Sequence, residues 1–93
     1  MQDRESFYRN LKTKLDETTQ FPADYLYKFI VSAAGNKVEE VQKIFDNKGA
    51  VIQTKKSKNG KYISISIVVK LSSSNEVIEY YQQAEKIEGI ISL

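Results

Sequence analysis

The spacing of apolar and polar positions changes several times along this chain, and each change marks an element. Phe7, Leu11 and Leu15 recur every four residues with Tyr8 beside them, which predicts a helix with a narrow apolar stripe and Asp3 as its N-cap. A lone helix of that length is marginal in water, so it is expected to dock on its own domain, a partner subunit being the alternative. Pro22 ends the helix and favours an extended Phe21. From about Tyr25 to Ser32 the period drops to two. Tyr27, Phe29 and Val31 share one face and Leu26, Lys28 and Ile30 the other, and the face with the lysine is expected to be the outer one.

Gly35-Asn36 breaks that strand. Asn36 with Glu39 resembles a capping box, and Val38, Val41, Ile44 and Phe45 form the stripe of the next helix. Glu39 and Lys43 are spaced to pair on its wet side, and Lys48-Gly49 closes it. Asn59-Gly60 between two alternating runs is a strong hairpin signal. A two-residue turn there would pair Lys58 with Lys61, Val51 with Val68, Ile52 with Ile67, Gln53 with Ser66, Thr54 with Ile65 and Lys55 with Ser64. That register sorts the apolar set from the polar set, and a slip by one residue would mix them. Ser73 with Glu76 reads as a second capping box. It opens a helix with Val77, Ile78, Tyr81 and Ala84 inward and Tyr80 directed elsewhere, towards the surface. Gly89 leads into a last strand, Ile90 to Leu93. From Leu26 onward the order is strand, helix, strand, hairpin, strand, helix, strand. Two such split β-α-β units close into one antiparallel sheet with both helices on one face, leaving the other face free.

Composition narrows what such a surface can do. The 93 residues make one core, with 41% hydrophobic and 28% charged positions, as in an ordinary globular chain. There is neither cysteine nor histidine, so thiolate chemistry and the commonest general base and metal ligand are excluded. No metal, cofactor or catalytic set is expected. Met1-Gln2-Asp3-Arg4-Glu5 mixes charges with no apolar run behind it, unlike a signal peptide, and no stretch is long enough to span a bilayer. A cytoplasmic protein without a membrane segment is expected. The net charge of +2 does not by itself point to nucleic acid.

Four places remain as candidates. The carboxylate pairs Glu39-Glu40 and Glu85-Glu88 lack a partner base and read as solvated surface. The turn at Gly35 and Asn36 exposes backbone N–H groups at a helix start and suits a small anionic effector, although any short strand-to-helix turn looks alike. Lys55, Lys56, Lys58 and Lys61 with Tyr62 form a basic hairpin that could hold RNA, but the third strand offers one outward aromatic where at least two are wanted. Leu26, Ile30, Val51 and Val68 would stand together on the free sheet face as an apolar patch of the kind that marks an interface. Either the N-terminal helix covers it, or a second copy or another protein does.

Five segments carry a family resemblance: Phe21-Pro22, Tyr27-Lys28-Phe29-Ile30, Val38-Glu39-Glu40-Val41, Lys56 to Ser66, and Ile87-Glu88-Gly89-Ile90-Ile91. From about Leu11 to Leu93 the chain resembles the YbeD-like bacterial family, a small cytoplasmic domain of unknown function. The resemblance implies an α+β, ferredoxin-like β-α-β-β-α-β sandwich similar to the ACT regulatory domain, over residues 21–93. Residues 1–20 would add an extra helix and a linker. ACT domains bind amino acids or other effectors near the first strand-to-helix turn, commonly at a dimer interface. Here that turn, Ser32 to Asn36, lacks the acidic residue and proline usual in ACT domains. The expected role is a non-catalytic regulatory or adaptor protein that senses a small molecule or binds a protein. The alternative is an RNA-binding module using the hairpin.

Overall fold

Ten residues of strand β1 (Ala23–Ser32) lie antiparallel to ten of β3 (Tyr62–Leu71), and this pair is the spine of the molecule. The structure is a computed structural model that describes residues 4–46 and 48–93. The remaining elements are α1 (Arg4–Thr18), α2 (Lys37–Ile44), β2 (Val51–Lys56), α3 (Ser74–Glu85) and β4 (Ile91–Ser92). The four strands run in the order β2-β3-β1-β4, all neighbours antiparallel, which is the ferredoxin-like arrangement expected.

Alternation decides which face is the core. Tyr27, Phe29, Val31, Ile65, Ile67, Val69 and Leu71 are buried on one side and pack against Val41 and Phe45 of the α2 segment and Val77 and Ala84 of α3. Burying each large side chain contributes about 1.5–3 kcal/mol, so one slipped pairing would cost several times that. Lys28 is exposed and Phe29 fully buried, as the placing of the lysine requires.

The hairpin keeps the expected register from Val51↔Val68 to Lys56↔Ile63, but its turn differs. Lys58 does not pair with Lys61. The Gly60 N–H instead donates to the Ser57 carbonyl at 2.9 Å and the Ser57 N–H to the Tyr62 carbonyl at 2.8 Å, leaving a four-residue loop, 58–61. Asn59 Oδ1 accepts from the Lys61 N–H at 3.0 Å and from the Ser57 hydroxyl at 2.8 Å, which stabilises the longer loop. Two-residue and four-residue loops have the same centre, so the ladder is unchanged.

Other expectations are revised by side-chain partners. The Asn36 side chain makes no capping bond, and Lys37 reaches Glu40 at 3.7 Å where Glu39 was expected to meet Lys43. Ser73 does cap α3, accepting from the Glu76 N–H at 3.2 Å, while the Glu76 carboxylate accepts from the Ser72 N–H at 2.8 Å. Tyr80 is not a free surface residue. It is half-buried and stacks on Phe45 with centroids 4.9 Å apart, joining α3 to the end of α2. Lys48 lies 5.9 Å from the Tyr80 ring centre and 3.3 Å from Glu76.

The helix α1 docks on α3, not on the open sheet face. Its stripe is turned relative to expectation: Tyr8 and Leu15 are buried and Leu11 half-buried, while Phe7 stays 47% exposed. At one end the Tyr8 hydroxyl donates to Glu85, which Arg4 also meets at 2.8 Å; at the other the Ser74 hydroxyl donates to Asp16 at 2.6 Å. Asp3, the expected cap, lies outside the described residues.

Candidate functional site

On the outer face the register lays side chains in rows across the strands. Leu26, Val68 and Val51 form one row, 51%, 40% and 60% exposed. The next row is Lys28, Ser66 and Gln53, wholly polar. The third begins with Ile91 of β4 beside Ile30 and continues through Ser64 to Lys55. Three of the four expected patch residues are thus together, but Ile30 is cut off from them by the polar row and finds Ile91 instead. No part of α1 covers these rows, which rules out the helix as the lid. The Lys28, Ser66 and Gln53 row floors a shallow depression reaching Ser64 and Lys55.

Charge on this face is lopsided. Lys28, Lys55 and Lys70 point outward and Asp24, directly across from Lys70, is the acid among them. None of the three lysines forms an ion pair among the described residues.

At the hairpin the five expected residues gather at one end of the sheet without forming one surface. Lys55 and Tyr62 share the outer face, Lys56 lies across from Ile63 on the other, and Lys58 and Lys61 are in the loop. Tyr62 is 51% exposed, but the side chains following it outward on β3 are Ser64, Ser66 and Val68. A second stacking ring is missing from the row where bases would lie.

The turn after β1 is tied into the same end. Gly35 has φ +78°, and the N–H of Ala33 donates to the Lys61 carbonyl at 2.9 Å. The Ala34 N–H donates to Ser32 Oγ at 3.2 Å. Two of the amides that could have held an anion are therefore used internally. Glu39 lies on the rim of the depression beside Gly35 and Asn36, and its carboxylate repels one.

A feature that the sequence did not announce lies between α1, the end of α3 and β4. Phe7, Tyr8, Leu11, Tyr81, Glu85 and Ile90 line a cavity of about 420 Å³ there. Burial and the neighbouring Glu85 carboxylate push the Tyr8 phenol up, so it stays a hydrogen-bond donor. Glu85 and Tyr8 are too far apart in sequence for any local pattern to have joined them. Among the described residues no cluster of carboxylates could hold a metal ion, and no helix is long and apolar enough to cross a membrane.

Comparison with known proteins gives a consistent picture. A family model described as "Protein of unknown function (DUF493)" matches residues 16–93. The chain is 29% identical over 83 residues to a UPF0250 protein of Shewanella piezotolerans, covering 86% of this chain and 94% of that one. It is 30% identical over 81 residues to the UPF0250 protein YbeD of Escherichia coli, covering 84% and 93%. A solution structure of protein HP0495 from Helicobacter pylori superposes with TM-score 0.65 at 20% identity, over 82% of this chain and 86% of that one, and shares the fold.

Proposed function

Because the chain belongs to the DUF493 family, whose function is unknown, we propose a role from its surface: a non-catalytic adaptor that docks a protein partner on the open sheet face. The observation that carries this reading is the exposed row Leu26, Val68 and Val51 in a field of lysines. Aliphatic side chains in line on an uncovered sheet are costly in water and favour a partner that buries them. The occupant that fits is a protein surface with an apolar ridge flanked by carboxylates, which would meet Lys28, Lys55 and Lys70. A second copy of this chain laid face to face would bring lysines against lysines, so charge disfavours it. RNA is the other polyanion to weigh, but its bases would find one ring, Tyr62, and a row of aliphatics. An effector at Gly35 and Asn36 has two fewer free amides and a nearby carboxylate against it.

The test compares the full chain with Val68→Lys, which keeps the core and places a charge in the middle of the row. Proteins captured from a bacterial lysate by the wild type are re-expressed and titrated into isotope-labelled chain. Support is a partner whose amide shifts map to Leu26, Val51 and Val68 and whose affinity falls roughly tenfold or more with Val68→Lys. Four results overturn the reading. They are binding indifferent to Val68→Lys, capture of RNA with a steep salt dependence centred on Lys55 to Tyr62, a dimer that Val68→Lys dissolves, and shifts confined to a small molecule at Gly35.

A further inference from the structure

Strand β1 has ten residues, but β4 accompanies it only at Phe29 and Ile30, with the Leu93 N–H reaching the Lys28 carbonyl at 2.9 Å. That last bond shows which way the backbone points. Lys28 turns its polar groups to the β4 side, and since orientation alternates along a strand, Leu26 and Asp24 do the same. The Ala33 N–H bonded to Lys61 on β3 fixes the opposite parity for the odd-numbered positions. No described residue bonds to the backbone of Asp24 or Leu26 on that side.

Natural sheets guard such edges with lysines, and the far edge here follows the rule, since β2 carries Lys55 and Lys56. The bare half of β1, Ala23 to Tyr27, carries no lysine at all. Tyr81, whose hydroxyl lies 2.9 Å from that of Tyr25 in this half, lines the cavity at the end of β4. That cavity shares Phe7 and Leu11 with a second depression along α1 that reaches Lys14, so the two make one trough. Glu85 and Glu88 stand on the trough against Arg4, and Glu88 has no ion pair among the described residues.

We propose that the bare half of β1 is a docking edge for an extended peptide carrying a basic side chain, which adds as a strand in line with β4. Its backbone pairs with Asp24 and Leu26. A peptide residue opposite Tyr27 lies on the helix side of the sheet and turns into the trough, where the unpaired carboxylate of Glu88 selects a lysine or arginine. A residue opposite Leu26 turns to the outer face. Backbone pairing supplies the affinity and the trough the selectivity. This site meets the proposed partner row at Leu26 and is opposite to it in charge.

The experiment uses the full chain and a displayed library of random heptapeptides. In the free chain the Asp24 and Leu26 amides exchange fast and those of Tyr25 and Tyr27 slowly. Selected peptides alternate β-branched residues with a lysine or arginine, and their binding slows exchange at Asp24 and Leu26 at least roughly tenfold. Asp24→Pro removes an edge-facing N–H without breaking a ladder bond, and Glu88→Lys reverses charge at the trough; each weakens binding roughly tenfold. If Asp24→Pro fails to fold, N-methylation of the peptide amides that face β1 replaces it and abolishes binding. Slow exchange of Asp24 and Leu26 in the free chain, a library yielding no such peptide, or undiminished binding by both variants overturns the proposal.

Discussion

The hydroxyl of Tyr27 donates to the backbone carbonyl of Val77 at 2.8 Å, fastening the middle of β1 to the first turn of α3. Tyr27 is fully buried, and its ring packs against Tyr25, Phe29, Phe45 and Tyr81. Burial raises its phenol far above the usual range, so the hydroxyl keeps its proton and donates. Tyr27→Phe keeps the ring and loses one buried bond, and is expected to cost about 1 kcal/mol in urea unfolding. Tyr27→Ala is expected to cost about 3–5 kcal/mol, because the cavity dominates.

Strand orientation is tested one residue further along. Phe29→Ala is expected to cost about 3–5 kcal/mol and Lys28→Ala less than about 0.5 kcal/mol in the same measurement. The opposite ranking would turn β1 over and with it the assignment of the outer row.

Gly60 has φ +72°, while a Cβ placed on it would meet only the flexible end of Lys56, at 3.8 Å. Strain there comes from the backbone and not from crowding. Gly60→Val is expected to lose about 1–2 kcal/mol in thermal unfolding, and Gly60→Asn clearly less, since asparagine tolerates the left-handed region.

The Glu76 carboxylate is held below its usual range by the Ser72 N–H and by Lys48, against the opposing effect of partial burial. A folded-state value below the unfolded one contributes stability above the unfolded value and loses it as pH falls through the folded one. Wild type is therefore expected to melt above Glu76→Gln at pH 7. That gap should close as pH drops below about 4, where the unfolded carboxyl is protonated. A gap that persists unchanged well below that pH would show that the carboxylate adds nothing through its charge.

Legibility in the sequence followed the range of the interactions. The β2–β3 register was readable because turn chemistry and alternation act within a few residues and agree. The Ser73 cap was readable for the same reason, its partners lying three and four positions away. Tyr80 was misplaced because its burial depends on Phe45 in another helix, which the stripe of α3 alone does not reveal. The rotation of α1 towards Tyr8 depends likewise on Glu85. For the outer face, alternation identified Leu26, Ile30, Val51 and Val68, but only the pairing of all four strands shows Lys28, Ser66 and Gln53 standing between Ile30 and the rest.

The four-residue loop at 58–61 sets a parity rule for any change at the tip. Replacements that lengthen or shorten the loop by an even number leave its centre between Asn59 and Gly60, so each inward side chain of β2 still meets an inward one on β3. An odd change moves the centre by half a step, and the odd residue has to be taken up by a five-residue loop or a bulge; without that, Ile52 would face an outward residue. Loop grafting at this site, by evolution or by design, should therefore proceed in pairs of residues. Melting of single-residue and two-residue insertions after Lys58 would display the alternation directly: the single insertion is expected to lower the melting temperature more than the double one.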